Sequence, residues 1–144
     1  EINSKKHRFL FQENHVMFIK IYIYIKYKMS CLFNSLNHFI TEGSGEIRQK
    51  ICNYLQENKP IMDGLDTNVI LGFEKKDYIT SMRSMSTWGG AIEIQAACNI
   101  WNMRIIVKNY RNRGNKDIEF IPLHGNVEKT IQIYWTGGHY EPIR

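Results

Sequence analysis

The sequence predicts an α+β fold, with helices in the first two thirds and a small, mostly antiparallel sheet packed between them in the last third. Two patterns carry that prediction. Apolar residues recur at helical spacing between residues 30 and 101, and they alternate with period two from residue 104 onward. Size sets the frame: 144 residues, 43% hydrophobic and 23% charged, make one domain able to bury its own core.

The elements follow in order. In "FIKIYIYIKYK", Ile19, Ile21, Ile23 and Ile25 alternate with Lys20, Tyr22, Tyr24 and Lys26. Residues 1–28 therefore read as an edge strand whose lysines discourage further pairing. They read equally as AT-rich non-coding sequence in translation, with Met29 a start or an exon edge. From Ser30, an N-cap, a helix presents Leu32, Phe33, Leu36, Phe39 and Ile40 on one face. After the turn "TEGSGEIRQ", with Ser44 as N-cap, Ile47, Ile51, Cys52 and Leu55 mark a second helix that Pro60 ends. "MDGLDTN" reads as a loop, Asp77 to Met85 as a short helix, and "STWGG" as a turn. Ala91 to Trp101 is apolar nearly all round, the mark of a buried helix. Strands are expected at Arg104–Lys108, Ile118–Leu123, Thr130–Trp135 and Tyr140–Ile143. "RNRGNKD" and "HGNVEK" carry hairpin-like turn chemistry, which makes the first three strands a meander.

Composition narrows the function classes. Three cysteines form neither a disulfide framework nor a CxxC metal clip, so a reducing, intracellular and cytoplasmic setting is expected. No run of eighteen apolar residues predicts a membrane helix, and no signal-peptide pattern is present. The net charge of +5 invites a nucleic-acid partner, but residues 1–28 hold six basic residues against two acidic ones, leaving about +1 elsewhere. A nucleic-acid footprint belongs on the folded body, so that partner is set aside, and a monomer is expected.

Cys31 opens the first helix, where unpaired N–H groups and the helix dipole favour a thiolate. Cys52 and Cys98 fall on apolar faces, where cysteine is a small inert hydrophobe. Among the histidines, His7 and His15 lie in the N-terminal segment, His38 on an exposed helix face and His124 in a polar turn. His139 follows Gly137-Gly138 and precedes Glu141 by two residues, the spacing that puts both side chains on one face of a strand. A carboxylate there orients an imidazole and stabilises its protonated form. On the residues alone, that pair is also compatible with an ordinary surface His beside a surface Glu. Trp88 likewise reads as a packing anchor, and Glu93 as a helix-surface acid or ion-pair partner.

"SCLFNSL", "STWGGAIEIQAACNIW" and "YWTGGHYEPI" resemble, in that order, the three signature blocks of the OTU (ovarian tumour) family of cysteine proteases, which are mostly deubiquitinases. The resemblance spans roughly Met29 to Arg144 and implies a papain-like OTU fold. It implies Cys31 as nucleophile, His139 as general base and Glu141 as the residue that orients it. By the same resemblance, backbone N–H groups of Lys28, Met29 and Cys31 form the oxyanion hole. Trp88, Gly89, Gly90 and Gly138 border the cleft for the C-terminal tail of ubiquitin or a ubiquitin-like modifier. No metal or cofactor is implied. The chain departs from the family at Lys28-Met29, where Asp-Gly is usual, and at Glu141, where Asp or Asn is more common. Loss of one oxyanion donor typically costs about a hundred- to a thousand-fold in rate. Two expectations therefore stand: a thiol isopeptidase, and a catalytically impaired OTU-like module that binds ubiquitin without cleaving it.

Overall fold

The computed structural model describes residues 30–110 and 116–144. The expectations for residues 1–28, for Met29 and for most of the RNRGNKD turn lie outside the described residues. Among the described residues, five helices precede a four-stranded sheet: α1 Cys31–Ile40, α2 Ser44–Gln56, α3 Thr67–Gly72, α4 Tyr78–Met82 and α5 Ala91–Trp101, then β1 Met103–Asn109, β2 Ile118–Phe120, β3 Lys129–Trp135 and β4 Tyr140–Pro142. One buried cluster joins them, built from Leu32, Phe33 and Leu36 of α1, Ile47 and Ile51 of α2, Ile94 of α5 and Ile105, Val107, Ile131 and Ile133 of the sheet. Helix α1 packs on α2 and β4, and α5 packs on α2 and β1. Among the described residues, no helix is long and apolar enough to cross a membrane.

Local chemistry explains most boundaries. Thr41 ends α1 in the left-handed conformation, with its N–H donating to the Asn37 carbonyl at 2.9 Å. Gly43, at φ +97°, is the N-cap of α2, one residue before the expected Ser44. The glycine takes a backbone angle that a serine resists, and its N–H donates to Asn37 Oδ1 at 2.7 Å. Helix α3 was not expected from the sequence. Asp66 caps it, its carboxylate accepting from Asn68 N–H at 2.9 Å, a signal that the turn-rich "MDGLDTN" obscured. Helix α4 ends at Met82, three residues short of expectation, because the chain there turns its carbonyls toward a buried arginine.

The sheet is mixed, in the order β2-β1-β3-β4. β1–β2 and β3–β4 are antiparallel, but β3 runs parallel to β1, pairing Ile105 with Ile131 and Val107 with Ile133. This corrects the meander: "HGNVEK" does not close a hairpin between β2 and β3. The reason is burial. β1 buries Met103, Ile105 and Val107, and the strand that can cover its long open edge is β3, with Ile131, Ile133 and Trp135 buried. Three-residue β2, half exposed, serves the rim. The crossover is tied to α5, where Gln95 Nε2 donates to the Ile121 carbonyl at 2.8 Å and Leu123 N–H donates to Asn99 Oδ1 at 3.0 Å.

Candidate active site

Packing of α1 against β4 brings residues 31 and 140 together, although more than a hundred residues separate them in sequence. Cys31 is the first residue of α1, with Ser30 as its N-cap, and its side chain is buried. The Tyr140 N–H donates to Cys31 Sγ at 3.3 Å, and Ser35 Oγ donates back to the Cys31 carbonyl at 2.8 Å. Burial pushes the Cys31 thiol above its usual range and Glu141 adds to the rise, against backbone N–H groups of Tyr140, Leu32 and Cys31 that pull it down. The helix N-terminus therefore acts in the expected direction but is outweighed by desolvation.

His139 reaches the site through a tight hairpin. Gly137, at φ +100°, and Gly138 form the two-residue loop between β3 and β4, closed by Thr136 N–H to the His139 carbonyl at 3.1 Å. Positive φ at the first loop position is the type II′ arrangement that suits strand twist and needs glycine. His139 Nε2 hydrogen-bonds Glu141 Oε1, while its Nδ1 is buried without a hydrogen-bond partner. The Glu141 side chain remains 43% exposed. Imidazole, carboxylate and thiol thus occupy one end of α1, with one ring nitrogen oriented and the other uncommitted.

The Trp88–Gly89–Gly90 turn lies against the other flank of α1. A Cβ on Gly89 would stand 2.7 Å from Leu32 Cδ2 and 3.0 Å from the Phe33 ring, so any larger residue must displace one of them. Gly90 is the N-cap of α5 and donates its N–H to Glu93 Oε1 at 2.8 Å. Trp88 is half buried. Glu93 is not the surface acid expected: it is fully buried, accepts from Tyr78 Oη at 2.8 Å, and desolvation raises its pKa to about 7. Lys28 and Met29, the expected oxyanion residues upstream of Cys31, fall outside the described residues.

Of the remaining candidates, His38 and His124 are exposed, as anticipated. Cys52 and Cys98 are buried, with thiols pushed up to about 11 and about 12 by desolvation, which leaves them inert at neutral pH. Arg48 escaped sequence reasoning. Only 1% exposed, its Nη1 donates to the Met82 and Thr87 carbonyls at 2.9 Å each. The signal was present: Arg48, Ile51, Cys52 and Leu55 stand at i, i+3, i+4 and i+7, which puts the arginine on the buried stripe of α2.

Comparisons with known proteins bear on the family and the fold. The profile of the OTU-like cysteine protease family matches residues 30–140, so the chain belongs to that family. Mouse ubiquitin thioesterase OTU1 is 28% identical over 122 residues, covering 80% of this chain and 33% of that protein. The Arabidopsis thaliana ovarian tumor domain-containing deubiquitinating enzyme 9 is 24% identical over 121 residues, covering 79% of this chain and 32% of the relative. The chain thus spans about a third of these relatives' length. The solved OTUD1 OTU domain superposes with a TM-score of 0.62 at 14% identity, covering 80% of this chain and 79% of that one. An OTU domain in complex with ubiquitin gives 0.62 at 24% identity, over 80% and 63% of the two chains. A Wolbachia pipientis OTU deubiquitinase bound to ubiquitin gives 0.59 at 16%, over 81% and 90%. These likenesses establish the OTU fold.

Proposed function

We propose that this domain is a cysteine-type deubiquitinase that hydrolyses the bond after the C-terminal glycine of ubiquitin. The observation that carries the reading is the Tyr140 N–H to Cys31 Sγ contact at 3.3 Å, next to an imidazole oriented by Glu141. With the thiol as resting form, His139 acts as a base during attack: Nδ1 takes the Cys31 proton as sulfur bonds to the glycine carbonyl carbon. The tetrahedral oxyanion is received by the Cys31 N–H together with the backbone of Lys28 and Met29. The imidazolium then protonates the departing lysine amine. Water, deprotonated by His139, attacks the thioester, releasing the ubiquitin carboxylate and restoring the thiol. Trp88, Gly89, Gly90 and Gly138 flank the tail. The cycle needs no metal or cofactor. The reading includes a monomer in a reducing, cytoplasmic setting, in keeping with three free cysteines.

A second reading, a module that binds ubiquitin without cleaving it, is favoured by one observation: Lys28-Met29 stands where Asp-Gly is usual. A panel of differently linked di-ubiquitins separates the two. Cleavage of any linkage supports the enzyme, binding with no cleavage at high protein concentration supports the module, and neither overturns both.

A further inference from the structure

A buried arginine offers much and demands much. Arg48 presents a rigid planar fork, and the fold meets it with carbonyls and a hydroxyl rather than a carboxylate. Besides its bonds to Met82 and Thr87, Nη2 lies 3.3 Å from Ser30 Oγ and 3.5 Å from the Met85 carbonyl. The guanidinium carbon sits 3.9 Å from the centroid of the Phe33 ring. Ser30 Oγ donates to the Met85 carbonyl at 3.1 Å instead of capping α1, so the residue before Cys31 is tied to the same loop. That loop runs directly into Trp88–Gly89–Gly90, whose Gly89 rests on Leu32 and Phe33. One side chain thus touches both residues that flank the Cys31–Leu32 step and fastens the loop that packs over them.

We propose that Arg48 is a positioning residue for Cys31: it fixes the first turn of α1 against the Trp88–Gly89–Gly90 turn and places a buried positive charge on Ser30, the residue before the thiol. The inference rests on the deubiquitinase reading only for turnover; the state of Cys31 is measurable without ubiquitin. Burial lowers the Arg48 pKa to about 10, so it remains a cation at neutral pH. Around Cys31, the opposing charge is Glu141 on β4, with His139 beside it. The Tyr140 phenol, also near the thiol, is pushed far above its usual range by burial and stays neutral. Arg48 is the buried positive charge on the α2 side, joined to the first turn of α1 through Ser30. Lysine keeps that charge but has a single point donor, and it loses both the fork and the stack on Phe33. Glutamine keeps some hydrogen bonding and loses the charge.

The test is the rate of iodoacetamide alkylation at Cys31 between pH 6 and 9.5, on the full chain as wild type, Arg48→Lys and Arg48→Gln, with the modified peptide identified by mass spectrometry. Arg48→Gln is expected to move the pH–rate profile up by about one unit, about tenfold slower on its rising limb. Arg48→Lys is expected to restore the profile to near wild type while losing at least tenfold in kcat on ubiquitin substrates, with KM little changed. Coincident profiles for all three chains would overturn the proposal. A profile shifted equally in Arg48→Lys and Arg48→Gln would also overturn it, since that marks loss of structure and not of charge. If Arg48→Gln does not fold, amide hydrogen exchange in Arg48→Lys decides. Faster exchange is expected jointly in the first turn of α1 and in residues 82–90, and unchanged exchange in both overturns the assignment. A chain that never cleaves ubiquitin still gives both readouts, so failure of the deubiquitinase reading is separable from failure of this one.

Discussion

On the α2 and α5 side of the molecule the polar groups are buried: Arg48 is 1% exposed and Glu93 0%, each held by hydrogen bonds. On the β4 side the polar groups are only partly buried, with His139 and Glu141 keeping 25% and 43% of their side-chain surface exposed on a short hairpin. The first set is costly to disturb, because every broken bond leaves a desolvated carbonyl or charge. The second is cheap to disturb in stability and expensive in chemistry. On the proposed reading, a site assembled from such halves has its nucleophile fixed by the core and its base presented by a loop. Mutations should therefore separate into stability effects on one side and rate effects on the other.

His139→Ala breaks that contrast hardest if it is wrong. Removing the proposed base is expected to cost about a hundred- to ten-thousand-fold in kcat, with unfolding free energy changed by no more than about 0.5 kcal/mol. Steady-state kinetics and urea titration on the same preparation check both halves. Arg48→Met is the mirror case. Stranding the Met82 and Thr87 carbonyls is expected to lower stability by about 3 kcal/mol, visible as a fall in the urea midpoint at constant slope.

Glu93 sharpens the comparison through pH. Its folded pKa of about 7 lies above the ordinary 4.5, so the fold favours the neutral carboxyl. That contribution is complete below pH 4.5 and is lost as pH rises through 7, roughly 3 kcal/mol over the window. The unfolding free energy of wild type minus that of Glu93→Gln is therefore expected to fall by that amount between pH 4.5 and 7. A difference constant with pH would contradict the buried, titrating carboxyl. Gly89→Ala is the gentlest probe: its methyl must displace Leu32 or Phe33, at a cost of about 1–3 kcal/mol. Thermal melts report that loss, and slower Cys31 alkylation reports the strain passed to α1.

Much of this architecture is legible in the sequence because it is local. The stripe from Leu32 to Ile40, the apolar run from Ala91 to Trp101 and the Gly137-Gly138 hairpin each declare themselves within a dozen residues. The candidate positions Cys31, His139 and Glu141 came from the family blocks, since spacing alone does not bring residue 31 to residue 140. What stayed hidden is decided at long range. β3 lies beside β1 because of the edge that β1 leaves uncovered, which no turn motif records. Arg48 and Glu93 look like surface charges by residue type, and only their partners at Met82, Thr87, Tyr78 and Gly90 make burial tolerable. Asp66 carried a readable cap for α3, masked by the turn residues around it.

The central claim is that Cys31, activated from β4, is the nucleophile. Incubating the full chain with ubiquitin carrying a C-terminal electrophile, then mapping the adduct by peptide mass spectrometry, tests it most directly. The account predicts one adduct, on Cys31, abolished in Cys31→Ala and strongly slowed in His139→Ala. An adduct on Cys52 or Cys98, or one that survives Cys31→Ala, would contradict it.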